Sequence, residues 1–246
     1  MNRLEAPVLT PPVSKTKPAA FDLFPNWSAE PFESPDLSTP LETFQPVHYE
    51  ANYKYPLVVW LHGARQTQRD LPSVMAHVST RNYVAVAPEG PGSLDRPWSD
   101  DAAGIAEAEE RIVEAIEYAN DYFNLHAERV FVAGIGCGGT AALRMAMANP
   151  GFIAGAASFD GPVPRGNTPL QQIGALRGLP LMLATGKDSE RYSEASVCRD
   201  MRLLYMAGCN LHIHQEPGDG ETTTSSLAEV DRWMMNIVCG SQTISG

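Results

Sequence analysis

Short apolar runs alternate with amphipathic stretches of helical length from about residue 55 to the C-terminal end of the chain. The runs have the length of buried strands and are bounded by Gly and Pro, whereas the stretches between them repeat apolar positions every three or four residues. This alternation is typical of βαβ units, in which helices cover a sheet of parallel strands. The pattern therefore predicts an α/β fold with a mostly parallel, doubly wound sheet and helices on both faces.

The pattern also predicts where the elements lie. The longest predicted helix, Asp101–Phe123, has an apolar stripe on one side and acidic residues on the other, with Ser99 and Asp100 as its expected cap. A capping box at Ser226 and Glu229 predicts the start of the last helix, which runs through Val238. The predicted strands are Leu57–Leu61, Tyr83–Ala87, Val130–Ala133, Ile153–Phe159, Leu181–Thr185 and Leu211–Gln215, and the other predicted helices are Asp70–Ser79, Thr140–Ala148 and Ser193–Ala207.

The N-terminal segment has a different character from the rest of the chain. Nine of the 20 prolines lie in the first 46 residues, and no period of 2 or 3.6 is sustained there. Because proline lacks an amide donor and fixes φ, this segment is not expected to form a regular element. We predict a partly ordered, proline-rich arm (1–50), a single domain (51–240) and a short tail (241–246). Aromatic residues in the arm indicate that part of it packs on the domain: Phe21, Phe24, Trp27 and Phe32.

Composition narrows the classes of partner. Hydrophobic residues make up 43% of the chain and charged residues 19%, as in globular proteins. The net charge of −11 disfavours binding to nucleic acid or to anionic lipid, and no apolar run is long enough to span a membrane. Four scattered cysteines form no metal-binding or disulfide pattern, and no signal peptide is visible, so we expect a cytoplasmic protein without a metal or cofactor.

Several motifs together resemble one enzyme family. The segment Val130–Arg144 reads as a strand, a glycine-rich turn and a helix, preceded by Leu61-His62-Gly63 and followed by Gly186-Lys187-Asp188 and Pro217-Gly218. In order and spacing, these motifs resemble the phospholipase/carboxylesterase and polyhydroxybutyrate-depolymerase-like esterases of the α/β-hydrolase superfamily. The resemblance covers about residues 55–238 and implies the α/β-hydrolase fold.

The glycine-rich turn departs from the family pattern at the position of the nucleophile. The resemblance implies a Gly-x-Ser-x-Gly elbow, in which small residues two positions either side of the serine let strand and helix approach. Gly134 and Gly138 meet that demand, and the nucleophile position then falls on Gly136, which has no side chain. In this register the nucleophile is absent.

The other positions of the family site can be placed in the same way. The resemblance implies that Asp188 is a relic of the triad acid, and that the histidine position in the loop after Pro217 is Gly220. Backbone amides near Ala64 or Arg65 and at Cys137 would form the oxyanion hole. Gly63 and Trp98 complete the implied pocket.

Two functional hypotheses follow. In the first, the chain is a catalytically inactive esterase-type protein that binds a small acyl or ester-like ligand, or a protein partner. In the second, Cys137 is the nucleophile of an ester hydrolase or thioesterase, although that register would place Ile135 at a position requiring a small residue. His212 and His214 alternate along a predicted strand and share a face, but no third metal ligand accompanies them, so they are interpreted as structural.

Overall fold

The computed structural model of the chain describes residues 40–166, 174–220 and 222–240. The strands are β1 (Leu41–Phe44), β2 (Tyr55–Leu61), β3 (Val84–Pro88), β4 (Leu125–Ile135), β5 (Ile153–Phe159), β6 (Pro180–Gly186) and β7 (Asn210–Glu216). The helices are α1 (Leu71–Val78), α2 (Ala102–Tyr122), α3 (Cys137–Ala148), α4 (Glu194–Met206) and α5 (Thr224–Gly240).

The strands form one seven-stranded sheet in the order β1-β3-β2-β4-β5-β6-β7. The β1–β3 pair is antiparallel, and every other neighbouring pair is parallel. The carboxyl ends of the six parallel strands therefore meet at one edge, where open α/β sheets hold their ligands. The predicted α/β class and the mostly parallel sheet are confirmed.

Alternation along the central strands builds two cores. In the fully buried strand β2, Leu57 and Val59 face the core formed with α2 and α3, whereas Val58 and Trp60 face the core formed with α1 and α5. A strand buried on both faces reads as a continuous apolar run, which is why the sequence locates it so well. Helices cover both faces of the sheet, as predicted.

The N-terminal edge of the sheet corrects one prediction. Residues Leu41–Phe44 form a strand inside the segment that was expected to lack regular structure, and Leu41 pairs with Pro88 at the end of β3. Pro40 and Pro46 flank this strand, and an edge strand tolerates a neighbouring proline because one side of it needs no partner. The rest of the predicted arm, with its aromatic residues, and the tail 241–246 lie outside the described residues.

Two elements begin three or more residues before their predicted starts, and one helix cap is reassigned. Helix α3 begins at Cys137, and strand β4 extends back to Leu125, where it pairs with Tyr55. Helix α2 is capped by Asp101, whose carboxylate accepts from the Gly104 amide, so the predicted caps Ser99 and Asp100 are wrong.

The start of the last helix is the remaining correction. Thr223 and Ser226 exchange amide-to-hydroxyl hydrogen bonds of 2.9 and 3.0 Å, so Ser226 lies inside α5 and Thr223 begins its cap. Within the described ranges, no helix combines the length and apolar character needed to cross a bilayer.

Candidate ligand-binding site at the strand–helix turn

Gly136 forms the apex of the turn between β4 and α3. Its φ of 56° and ψ of −119° belong to a strained region that side chains rarely adopt. Its amide donates to the Phe159 carbonyl at 2.8 Å, and its carbonyl accepts from the Thr140 amide at 3.0 Å. The chain thus keeps a sharp turn at the carboxyl end of a central strand and places a residue without a side chain there.

Close packing explains the glycines on either side of this apex. A Cβ added at Gly134 would lie 2.6 Å from the Leu61 carbonyl oxygen, and one at Gly138 would lie 2.2 Å from the same atom. Real Cβ atoms do not approach backbone so closely, so neither residue can be replaced without moving a strand. The packing therefore explains why small residues are required at positions 134 and 138, the requirement that located the apex at Gly136.

The space in front of the apex is open by comparison. A Cβ added at Gly136 would meet no heavy atom nearer than Arg191 Nη1, at 3.8 Å. Arg191 lies in the loop between β6 and α4, and its side chain is 57% exposed. The described group that faces the bare apex is therefore a guanidinium, a fixed positive charge and not a base.

Asp160 is a buried carboxylate that sequence analysis missed. It follows β5, has a φ of 53° and is 1% exposed. Oδ2 accepts from Ser189 Oγ at 2.9 Å and lies 3.4 Å from Arg191 Nε, whereas Oδ1 has no hydrogen-bond partner within the described ranges. Burial raises the pKa of this carboxyl, against the opposing effects of Ser189 and Arg191. A Phe-Asp-Gly sequence at the end of a buried strand was the available signal.

Gly220, the expected histidine position, lies in a loop packed directly on Asp160. Its φ is 89°, and an added Cβ would lie 2.4 Å from Asp160 Cγ. The same loop is closed on the other side, because a Cβ at Gly186 would lie 2.0 Å from the Gly220 amide nitrogen. In this conformation the loop has no room for an imidazole.

Asp188, the expected relic acid, acts as a turn residue. Its amide donates to the Gly218 carbonyl at 2.8 Å, and its Oδ2 accepts from the Gly218 amide at 3.3 Å. No hydrogen bond joins it to an imidazole within the part of the chain that the structure describes. Its contacts stabilise the loop that carries Gly220.

The implied oxyanion donors are partly occupied. The Arg65 amide donates to the Leu94 carbonyl at 2.7 Å, and the Gly63 amide donates to Gln66 Oε1 at 2.9 Å. Arg65 is therefore not a free donor, which corrects its predicted role. Ala64 and the first turn of α3, beginning at Cys137, are the remaining positions for this role.

His62 and Trp98 support the loops beside the turn. The Gly90 amide donates to His62 Nε2 at 3.1 Å, so Nδ1 carries the proton that reaches the Gly63 carbonyl at 3.2 Å. The Trp98 indole donates to the His62 carbonyl at 2.8 Å. Burial lowers the His62 pKa, which favours this neutral, fully bonded ring. His62 is a structural residue here.

Cys137 is half-buried at the first position of α3. Burial raises the pKa of its thiol, although the Trp98 and Gly138 amides act in the opposite direction. It lines a cavity of about 10 Å³ together with Trp98, Ala141 and Arg144, which is room for about one water molecule. No hydrogen bond links the thiol to an imidazole among the described residues.

The two strand histidines are paired with carboxylates. His212 Nε2 lies 2.9 Å from Glu229 Oε1, and His214 Nε2 lies 2.8 Å from Glu216 Oε1. Glu216 also accepts from Thr223 Oγ1 at 2.5 Å. Across residues 40–166, 174–220 and 222–240, no cluster of three or more His, Cys, Asp or Glu is arranged to hold a metal ion.

Comparison with known proteins identifies solved structures of similar architecture. No protein-family model matches the chain, and neither does any curated protein. Among solved structures, it is similar to a Bacillus cereus carboxylesterase, with a TM-score of 0.65, 17% identity, and coverage of 82% of this chain and 96% of that one. It is also similar to a Zea mays acyl-protein thioesterase 2, with a TM-score of 0.60, 15% identity, and coverage of 81% and 99%.

A third structure, that of YahD with malic acid, gives a TM-score of 0.65 at 13% identity, covering 81% of this chain and 99% of that one. Identities this low establish a shared fold and do not transfer an activity. On its sheet order, its strand–helix turn and these neighbours, the chain has an α/β-hydrolase fold.

Proposed function

We propose that this chain is a non-hydrolytic protein of the esterase-type α/β-hydrolase fold, which binds a small ligand at the carboxyl edge of its sheet. The observation that carries the proposal is the bare apex. Gly136 stands at the turn where the fold presents a nucleophile, and it offers backbone alone. Acyl transfer needs an atom with a reactive lone pair at that place and a base to activate it.

The position of the base supports the same reading. Gly220 packs against the Asp160 side chain, and an added Cβ would lie 2.4 Å from its carboxyl carbon, so this conformation leaves no space for a ring. In well-studied serine hydrolases, loss of the nucleophile or the histidine alone costs about 10⁶-fold in turnover. Absence of both leaves a cleft able to bind and unable to turn over.

The direct test is ester hydrolysis by the purified full-length chain. We expect p-nitrophenyl acetate and p-nitrophenyl butyrate to be cleaved no faster than by an equal concentration of a Cys137→Ala variant or of heat-unfolded protein. Saturable hydrolysis abolished by Cys137→Ala would instead establish Cys137 as a nucleophile. Saturable hydrolysis that survives that substitution would place the chemistry elsewhere. Either result overturns the proposal.

A further inference from the structure

A second cavity, of about 180 Å³, lies at the carboxyl ends of β6 and β7, beside the loop that carries Gly220. A single water molecule needs only about 10–15 Å³, so this cavity has room for a small organic molecule, whereas the one at Cys137 does not. Phe159 and Ala184, which are both buried, supply apolar side chains to its wall. The cavity can therefore take up a short carbon chain.

A carboxylate held by hydrogen bonds forms part of the polar wall. Glu216 Oε1 lies 2.8 Å from His214 Nε2, and Glu216 Oε2 accepts from Thr223 Oγ1. Burial acts to raise the pKa of Glu216, but its hydrogen bonds, first among them that from Thr223, outweigh burial and hold the pKa below its usual value. Glu216 thus brings a negative charge to the cavity on a side chain that is only 17% exposed.

His214 and two hydroxyls add further acceptors to the same wall. Because the Nε2 proton of His214 is directed at the Glu216 carboxylate, the neutral ring carries its lone pair on Nδ1. Among the described residues, Nδ1 has no hydrogen-bond partner, and His214 lines the cavity. Thr223 and Ser226 line it too, and their hydroxyl protons are donated to Glu216 and to the Thr223 carbonyl. The wall therefore offers lone pairs and few protons.

The charge on the wall favours a cation over an anion. Asp219 lines the cavity together with Glu216, and no lysine or arginine of the described residues does so. The whole chain carries a net charge of −11, which adds to the effect of these two carboxylates. An anion is therefore repelled from the cavity, and a small cation is attracted to it.

We propose that this cavity binds a small organic cation, a primary ammonium on a short carbon chain, through Glu216 and His214 Nδ1. An ammonium group has three donors and no acceptor, which complements a wall made of acceptors. The carbon chain would pack on Phe159 and Ala184, where it loses contact with water. The inference rests on the proposed function, since it names the ligand class and the place for a ligand at the carboxyl edge of the sheet.

The experiment is an NMR titration of the ¹⁵N-labelled full-length chain with propylammonium chloride at pH 7 and constant ionic strength. Propanol, which has the same carbon chain without the charge, is the matched ligand control, and sodium propionate and sodium chloride complete the set. We expect saturable shifts with propylammonium, binding of propanol that is weaker by roughly tenfold or more, and no saturable change with either sodium salt. Equal or tighter binding of propanol or propionate, or no saturable response to propylammonium, would overturn the assignment.

Variants connect the binding to the named residues. Glu216→Gln is expected to weaken propylammonium binding roughly tenfold to a hundredfold, the effect of losing a charge-assisted hydrogen bond. Its matched control is Glu229→Gln, because Glu229 lies 2.9 Å from His212 of the same strand and does not line the cavity. This control should bind like the wild type, and an equal loss of binding in both variants would contradict the site.

A second variant tests the cavity without changing its charges. Ala184→Val narrows the space beside Phe159 and should weaken binding several-fold. If either Glu216→Gln or Ala184→Val is folded by circular dichroism and binds propylammonium like the wild type, the site is refuted.

The hydrolysis assay separates this inference from the proposed function. Absence of both ester cleavage and propylammonium binding would remove the ammonium site and leave the non-hydrolytic assignment standing. Ester cleavage would remove that assignment whatever the titrations show.

Discussion

The two glycines at the expected catalytic positions differ in what surrounds them. In front of Gly136 the nearest heavy atom to an added Cβ is 3.8 Å away, and it belongs to a partly exposed arginine. At Gly220 the same added atom would lie 2.4 Å from the Asp160 carboxyl carbon, and that carboxylate is buried. Both residues have positive φ, so a side chain would be strained at either position. Only Gly136 has free space in front of it.

The two expected catalytic positions therefore differ in the space that is available to a side chain. At Gly136 the turn has open space that a small side chain could occupy. At Gly220 the loop packs on Asp160 and leaves no such space. A double substitution that introduces serine at 136 and histidine at 220 is therefore expected to fail at the second site.

The largest effect is expected at the loop. Gly220→Ala should cost about 3 kcal/mol or more of unfolding free energy, because it adds a collision with Asp160 to the strain of positive φ. Gly218→Ala is the matched control: its φ is 111°, and an added Cβ meets nothing within 4 Å. For a domain of this size, thermal unfolding should show a difference between the variants of roughly 4 °C or more. Equal melting temperatures would contradict the account of a closed loop.

A smaller effect is expected at the apex. Gly136→Ser should fold and lose about 1–3 kcal/mol, the cost of a side chain in this strained conformation. It should remain unable to cleave p-nitrophenyl acetate, since no imidazole adjoins the apex among the described residues. Urea unfolding measures the first expectation, and the esterase assay the second. Robust turnover by this single variant would mean that a base has been overlooked.

A pH-dependent effect is expected at Asp160. Its folded-state pKa is raised above the ordinary value by burial, so its stabilising contribution is full below the ordinary carboxyl pKa and is lost as pH rises through the folded value. Asp160→Asn removes this loss and can still accept from Ser189. Relative to the wild type, the variant should gain stability as pH rises from about 4 to 7. Urea unfolding measures the difference in stability between the variant and the wild type. A difference that does not change across this pH range would contradict the burial effect.

The smallest expected effect is a difference in reactivity among the four thiols, which tests the environment of Cys137. Cys198 and Cys239 are exposed, whereas burial raises the pKa of Cys137 and Cys209. Ellman's reagent at pH 7 should therefore react with two thiols quickly and two slowly. A Cys137→Ala variant that removes a fast-reacting thiol would revive the cysteine hypothesis.

The sequence predicts the fold where a single element carries its own signal. The runs at Leu57–Leu61 and Ile153–Phe159 are buried on both faces, so their strands are visible without tertiary information. Strand β1 was missed because four half-buried residues beside prolines acquire their structure by pairing with β3.

The sequence likewise predicts the part of the site that depends on local spacing, and it does not predict the contacts between separate loops. The spacing of Gly134 and Gly138 locates the apex, because the turn imposes that spacing locally. Asp160, Ser189 and Arg191 come from two separate loops, and they meet through the order of strands β5 and β6 in the sheet. The spacing of these residues along the chain does not predict that contact.

The proposed function requires that no activated nucleophile stands at the apex of the turn. Intact-mass analysis of the full-length chain after exposure to a fluorophosphonate, a reagent that bonds covalently to activated serine nucleophiles, tests this requirement, with Gly136→Ser run in parallel. We predict that the wild-type mass stays unchanged, with no phosphonylated fraction. A stoichiometric adduct on the wild-type chain would contradict the account.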